Sequence, residues 1–585
     1  MLINEKSIAV LPFYNTSESV ENQYFADGIS EEIINSLSKI SGLKVISRTS
    51  SFSYRNTSLD IRHIGNELGV STVLEGSVRR SGTKARITTQ LIRTDTGFQI
   101  WSEKFDRDLE DIFDLQDEIS QLIAERIREN FGHIFIQEKL SSSRTGYTEA
   151  YDRYLQGRYH QAKWNQSDME IAMQKYKSSI AIDPGFSMAY LGLSQCFIYL
   201  STWNFIDRMK GMFMAYHFLS KVETSDKHIP EYHFTKGLFY FLGKWEFTKA
   251  EKHLLKAIEL NPNYSDAMQI MANVQIANGR FDEAHAYIDR ALILDPNSEN
   301  HHFTKASAFY FSGQYIKAYT SLERFKDNNS DLNLTSRLRL FSSLMAKDKL
   351  AFDQALLQLG QEGREPFKAL WSLFIDRSEL TVSIKWDDHY FPLKLYLLLA
   401  KGSYTEALQV LEEGVMGHDG RFINCLHDPL IDSLKTNEGY QKISAQFLPL
   451  SPVNRQEISN ISTQLDKMTL QEIEHFLKAL DSIMTDEEPY LDTELSLKSL
   501  AEKISLHPNK FSWLLNEKLG KNFNDYINNY RLEAFKVKAL DPALSHLTLL
   551  GVAYESGFTS KSVFNDYFKK KTGLTPKAWV KRYKL

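Results

Sequence analysis

Apolar residues change their spacing along this chain, and each spacing predicts a different architecture. In the first part, short apolar runs alternate with stripes at helical period. The run Ser7-Ile8-Ala9-Val10-Leu11-Pro12-Phe13 ends at a proline and predicts a buried strand. Ser30 with Glu31 and Glu32 predicts a helix N-cap and an acidic first turn, followed by an apolar stripe of Ile33, Ile34, Leu37 and Ile40. Further strands are predicted over 43–47 and 73–78, and a helix over 61–68 stops at Gly69. A hairpin pairs 86–92 with 98–105 across Asp95-Thr96-Gly97, and a helix over 115–130 closes the unit. Residues 1–135 thus predict an α/β domain with a mixed sheet.

Beyond a polar linker at 141–146, the pattern becomes repetitive. Ala250, Leu254, Ala257 and Pro262 recur 34 residues on as Ala284, Ile288, Ala291 and Pro296. Small residues let paired helices approach closely, and the proline ends the second helix of each pair. This period resembles the tetratricopeptide repeat (TPR) and implies an all-α solenoid over 147–450 with a concave binding face. An earlier copy ends at Asp183-Pro184. Its first helix begins near Tyr151, a few residues too far upstream, so a longer loop is expected at 165–168. Weaker copies fall at 315–325 and 404–411; helical pairs without a fixed register are expected over 326–390.

Ser451-Pro452-Val453-Asn454 breaks the solenoid. A linker over 451–490 carries an amphipathic helix at 470–483 (Ile473, Phe476, Leu477 and Leu480 on one side) and a charged hinge at 486–489. Two helix-turn-helix units follow in 491–585, an all-α double unit. In the first, residues 497–504 lead, 505–508 turn and 509–519 form the second helix; a linker helix starts at Phe523. In the second, 548–554 lead, Gly557 supplies the turn and 560–571 form the recognition helix. Val563, Phe564, Tyr567 and Phe568 share its expected core side, which leaves Lys561, Ser562, Asn565 and Lys569 for a partner.

Charge sharpens this picture. The whole chain is mildly acidic, at −5, yet the stretch from Leu497 onward holds 16 Lys and Arg against 7 Asp and Glu. A basic tail on an acidic body points to nucleic acid. Cys196 and Cys425 form neither a metal motif nor a disulfide framework, and they predict buried thiols in a reducing compartment, the cytoplasm. No secretory leader opens the chain, and no stretch approaches the ~18–20 apolar residues of a membrane span.

Candidate chemistry is sparse. No phosphate-binding glycine loop occurs, and Asp27, Glu31 and Glu75 are expected as caps and turn residues, so no enzymatic role is expected. His301-His302 has no ligand partners at metal spacing and is expected in an exposed loop. The stretch 327–331 opens like a calcium loop but fails at Leu332 and Leu338. No metal or cofactor is expected. Trp203, Phe205, Trp245 and Phe247 either plug helix-pair interfaces or serve as binding hot spots.

Two resemblances carry further implications. The phrases Ser7–Phe13, Tyr24-Phe25-Ala26-Asp27-Gly28-Ile29, Leu74-Glu75-Gly76-Ser77-Val78-Arg79 and Trp101-Ser102-Glu103-Lys104-Phe105-Asp106-Arg107 resemble the TolB-amino-terminal-like domain, which implies a non-enzymatic α/β module. Leu519-Gly520 with Phe523 and Tyr526-Ile527, Tyr530-Arg531-Leu532 with Ala534, Val552-Ala553 with Gly557-Phe558, and Phe564-Asn565 with Phe568-Lys569-Lys570, Thr572-Gly573 and Thr575-Pro576 resemble the AraC-type DNA-binding domain. That resemblance implies two recognition helices reading double-stranded DNA in successive major-groove segments, and Trp513 stands where many members carry a polar reader. By position, Lys510, Ser512, Asn516, Lys561, Ser562 and Asn565 are the expected base contacts, and Lys521, Arg531, Lys569, Lys570 and Lys571 the expected phosphate contacts. The expected function is sequence-specific transcription regulation, with the body binding a protein, a peptide or a second copy of the chain. The alternative is a TPR scaffold whose tail merely tethers it to DNA.

Overall fold

The computed structural model describes residues 4–17, 22–81, 84–108, 112–134, 145–222, 226–325, 334–378, 390–445, 470–544 and 546–583. The linker at 141–144, the calcium-like stretch at 327–332 and the break at 451–454 lie outside the described residues.

The first layer is a mixed sheet, as the alternation predicts. It comprises β1 (Asn4–Val10), β2 (Tyr14–Asn15), β3 (Lys44–Val45), β4 (Val70–Ser81), β5 (Lys84–Arg93) and β6 (Gln99–Asp108), in the order β3-β1-β4-β5-β6 with β2 also on β4. β1 runs parallel to β3 and β4, whereas β4, β5 and β6 form an antiparallel meander. Register pairs Leu74 with Leu91 and Leu91 with Trp101, so one buried face meets α1 (Gln23–Ser38) and α4 (Ile112–Phe131). The short α3 (Ile61–Leu68) belongs to a second small core with Ala9, Ile46 and Val73, whereas α2 (Arg48–Phe52) packs Phe52 against the first.

The acidic and hydroxyl side chains of α1 do not play the expected parts. The helix begins well before Ser30, which is buried; its hydroxyl donates to Ala26 O (3.0 Å) and accepts from Phe13 N (2.9 Å). Asp27 pairs with Arg55 at 2.7 Å, and Glu31 pairs with Arg48 and Arg158. Glu75 lies within β4, where burial raises its carboxyl and Gln90 donates to it. These groups are ion pairs and hydrogen bonds between elements, not caps, because the helix start lies upstream.

Antiparallel helix pairs follow: α5 (Thr148–Gln161) with α6 (Gln166–Ile182), α7 (Ser187–Thr202) with α8 (Arg208–Ser220), α9 (Pro230–Leu238) with α10 (Phe247–Leu260), α11 (Ser265–Ala277) with α12 (Phe281–Leu294) and α13 (Glu299–Phe311) with α14 (Tyr315–Thr320). Ala250, Leu254, Ala257, Ala284, Ile288 and Ala291 are fully buried, as the period requires. A Cβ on Gly237 would lie 2.7 Å from Leu254 Cγ, which shows how closely α9 and α10 approach. The longer loop expected at 165–168 is absent. Asn165 caps α6, accepting from Asp168 N at 2.9 Å, and the extra residues lengthen that helix. His301 and His302 also depart from expectation. Both lie in the first turn of α13, and His301 is buried beside Asp266.

The array continues through α15 (Leu334–Ala346), α16 (Lys349–Leu356), α17 (Gln361–Trp371), α18 (Leu393–Ala400), α19 (Tyr404–Met416) and α20 (Glu438–Ala445). The stretch after α19 returns to the inter-helix turns of the early repeats. His418 packs on Trp245 (5.2 Å between centroids), His427 on Phe281 (5.6 Å), and Asn204 donates to Asp419 (3.1 Å). Trp203 and Phe205 meet Tyr390, at 5.3 and 6.2 Å, while Phe247 packs on Phe241 within its own repeat. These rings therefore plug seams, three of them between distant parts of the array.

On the opposite edge, the turns that end the repeats hold the sheet layer. Asn263 donates to Ser38 O and Leu43 O and accepts from Val45 N. Asp295 accepts from Ser50 N at 2.8 Å, and Leu294 O accepts from Ser47 N at 2.8 Å. The Asn-Pro-Asn and Asp-Pro-Asn phrases of the repeat thus serve as helix stops and as a polar joint to the α/β layer.

Candidate nucleic-acid interface

The C-terminal helices are α21 (Leu470–Asp486), α22 (Leu497–Lys503), α23 (Pro508–Leu519), α24 (Phe523–Leu540), α25 (Leu549–Glu555), α26 (Lys561–Thr572) and α27 (Pro576–Tyr583). Their bounds follow local chemistry. Ser496 and Ser499 form a reciprocal capping box at α22, Pro508 occupies the first turn of α23, and Ser560 caps α26 by accepting from Val563 N. Gly520 and Gly573 end their helices with φ of +62° and +72°.

Two small cores result, and α24 belongs to both. Its first half gives Phe523, Tyr526 and Ile527 to a core with Leu500, Phe511, Leu514 and Leu515; Ile473, Leu480 and Met484 of α21 join there. Its second half gives Leu532 and Phe535 to a core with Val552, Ala553, Phe558, Phe564, Tyr567 and Phe568. One continuous helix therefore sets the separation and rotation of the two helix-turn-helix units. The joint is reinforced by Tyr567, whose hydroxyl donates to Asp525 O at 3.0 Å.

α26 presents its polar side outward. Lys561, Ser562, Asp566, Lys569, Lys570 and Lys571 are exposed and Asn565 is half-buried. The three lysines fill the last turn, where the helix dipole favours cations. Phe564, Tyr567 and Phe568 are buried as the spacing predicts, but Val563 is 45% exposed. It sits outside the Phe535–Phe564–Phe568 aromatic cluster, beside Lys561 and Ser562, and is an apolar member of the outer face that helical periodicity alone assigned to the core.

The residues expected in and around the first unit are placed differently. Lys510, Asn516 and Lys521 are half-buried, whereas Ser512 is only 1% exposed and its Oγ has no hydrogen-bond partner among the described residues. Asn516 donates back to Ser512 O at 2.8 Å. Arg531, expected at a phosphate, is buried in the joint: Nε donates to Tyr490 O (2.7 Å) and Nη2 to Asp492 O (2.8 Å). Burial lowers its guanidinium to about 10, against a smaller opposing effect of Asp492. Gly557, with φ +91°, passes so close that a Cβ there would lie 2.2 Å from Tyr490 O. Two residues missed by sequence reasoning also shape the first unit. Asn509 accepts from Arg128 of α4 at 2.8 Å, a contact across 381 residues that no local signal foreshadows.

Comparison with known proteins places each part. Residues 500–582 match the family model of a helix-turn-helix domain, residues 4–122 that of the second domain of HilA/YgeH-like transcriptional regulators, and residues 246–306 that of the tetratricopeptide repeat. A putative adenylate cyclase 3 from Rhizobium meliloti (strain 1021) is 43% identical over 202 residues, 34% of each chain. An uncharacterized HTH-type transcriptional regulator from Staphylococcus aureus (strain COL) is 26% identical over 175 residues, 27% of this chain and 23% of its own. The matched region thus spans about a third of the first of these relatives and about a quarter of the second. The structure titled a functional characterization of Pseudomonas aeruginosa PilF aligns with 38% of this chain and 99% of its own, at 19% identity and a TM-score of 0.29. Among the described residues, no helix is long and apolar enough to cross a membrane. The chain thus joins a HilA-like transcriptional-regulator domain and tetratricopeptide repeats to a C-terminal AraC-type helix-turn-helix domain.

Proposed function

We propose that this chain is a sequence-specific DNA-binding transcription regulator. The observation that carries the reading is α26, capped at both ends, seated by three buried aromatics and exposing a polar-basic side beside a second helix-turn-helix unit on the same α24. Two such helices suit major-groove segments about one turn, ~34 Å, apart. Lys561, Ser562 and Asn565 read base edges, with Val563 facing a thymine methyl; Lys569, Lys570 and Lys571 hold phosphates. Lys510, Asn516 and Lys521 act in the first unit. The working division is an α/β domain at 1–135, repeats at 147–450, a linker at 451–490 and the DNA-binding domain at 491–585. The repeats take a protein or peptide partner on their concave face, or a second copy of the chain, in the cytoplasm.

The test is a gel shift with genomic fragments at several salt concentrations. Tight binding to a few fragments is expected; binding that is absent, or equal on all sequences, contradicts the reading. Asn565→Ala should cost about 1–3 kcal/mol on the preferred site and relax its sequence, whereas Lys570→Ala should weaken all sites alike and reduce the salt slope by about 1.

The same reading makes the chain non-enzymatic, although one relative bears the name of a putative adenylate cyclase. Glu75, Asp27 and Glu31, the carboxylates nearest a catalytic role, are engaged with Gln90, Arg55, Arg48 and Arg158. Purified full-length chain is expected to form no cyclic AMP from ATP with magnesium or manganese. Formation that scales with enzyme concentration would overturn this assignment.

A further inference from the structure

The face of α23 that carries Asn509 and Asn516 is already occupied. These residues lie one and three turns along the same side of the helix, with Ser512 and Trp513 between them. The end of α4 runs along that side. Arg128, 2% exposed, donates to Asn509 Oδ1 at 2.8 Å. At Gly132, just beyond α4, a Cβ would stand 2.6 Å from Asn516 Oδ1. The same turn grips the neighbouring helix starts. Glu129 Oε1 accepts from Leu497 N at 2.9 Å, where α22 begins; Asn130 O accepts from Asn522, the cap of α24, at 2.9 Å; and Asn130 Oδ1 accepts from Asn524 at 3.0 Å.

We propose that the end of α4 is an intramolecular gate on the first helix-turn-helix unit, holding the α23 face away from DNA so that the closed chain reads with α26 alone. This inference rests on the DNA-binding reading of the C-terminal helices. Three features fit a gate rather than a fused core. The contact is polar, and the apolar core of the sheet layer stays separate from that of α21–α24. Such an interface opens more readily than a hydrophobic one of the same extent. Its charges also offer nothing to the rival ligand. Glu125 and Glu129 flank Arg128, and Glu129 pairs with Arg126 at 2.9 Å, so the arginines at this end of α4 are matched by carboxylates and a phosphate backbone arriving at α23 meets no net positive charge there unless α4 withdraws. Finally, burial holds the Arg128 guanidinium below its usual range, against the pull of those carboxylates, so the arginine gains solvation when the contact opens.

Two variants of the full chain separate the open and closed forms. Arg128→Met with Asn524→Ala removes two of the hydrogen bonds while keeping the bulk of the buried side chain. Asn130→Cys with Asn524→Cys places thiols where the side chains now meet, so that oxidation locks the gate and reduction frees it in the same molecule. Hydroxyl-radical footprinting on a selected site should show wild type protecting one major-groove segment. The first variant should bind about tenfold tighter or better and lengthen the footprint by about 10 bp, one helical turn. The oxidised cysteine variant should keep the short footprint at every concentration, and the reduced form, which lacks the Asn524–Asn130 hydrogen bond, should bind at least as tightly as wild type. The same affinity and footprint in all forms, or protection of both segments by the oxidised form, would overturn the gate while leaving the DNA-binding reading intact. Absence of binding by every form would refute that reading and the gate with it. Hydrogen exchange on the DNA-free proteins checks the contact itself: residues 509–516 should exchange faster in the first variant, and equal rates would count against the gate.

Discussion

Replacing Phe564 by alanine is expected to dissolve the second helix-turn-helix unit and to abolish selective DNA binding. Phe564 is buried at the centre of an aromatic cluster, with ring centroids 4.7 Å from Phe535, 5.0 Å from Phe558 and 5.6 Å from Phe568. Truncating a buried phenylalanine costs about 3–5 kcal/mol, and here few other side chains share the load. A whole domain is stable by only about 5–15 kcal/mol, so a unit of this size loses most of its margin. α26 carries Lys561, Ser562 and Asn565 and depends on this core for its orientation. The helix itself should fray, since it buries only Phe564, Tyr567 and Phe568. Hydrogen exchange over 561–572 should approach the unfolded limit while the sheet layer and the repeats keep wild-type protection. Wild-type exchange in α26 together with wild-type affinity would contradict this account of how the helix is held.

Gly557→Ala is expected to be nearly as damaging, through the backbone. The φ of +91° lies where alanine is strained, at a cost on the order of 1–3 kcal/mol. The new Cβ would also stand 2.2 Å from Tyr490 O, 3.0 Å from Arg531 Nε and 3.0 Å from Leu491 Cα, and two of those three are backbone atoms that cannot swing aside. If Tyr490 moves, the buried Arg531 loses an acceptor, which is worth about 1.5–3 kcal/mol for a charged donor. The helix-turn-helix joint should therefore unfold several degrees lower, as read by differential scanning calorimetry on the full chain. An unchanged transition would show that the turn and the Tyr490 backbone yield independently.

Much of the fold was legible because local chemistry decides it. Periods of two and 3.6 separate the sheet layer from the helices, and the small residues and prolines spaced by 34 residues mark the best repeats. The helix-turn-helix bounds follow Ser496, Pro508, Ser560 and the two ending glycines. What escaped the sequence depends on contacts across hundreds of residues. The acidic residues of α1 looked like caps because their arginine partners, Arg55, Arg48 and Arg158, lie in other elements. Pro262 and Pro296 read as the ends of the repeat helices, yet the adjoining Asn263 and Asp295 anchor the sheet layer. Arg531 matched a motif whose surface role was assumed, whereas its side chain fills the joint at Tyr490. Ser512 and Val563 exchanged their expected places. The polar residue is buried and the apolar one exposed: Ser512 lies on a side of α23 that meets the end of α4 at Asn509 and Asn516, and Val563 lies outside the aromatic cluster that seats α26.

If α26 directs this chain to particular DNA sequences, genome-wide mapping of the DNA bound by the full-length protein will show discrete sites that share one motif. That motif's enrichment should be lost in the Asn565→Ala variant at equal protein level. Uniform coverage of the genome, or a motif unchanged by Asn565→Ala, Lys561→Ala and Ser562→Ala together, would contradict that role of α26.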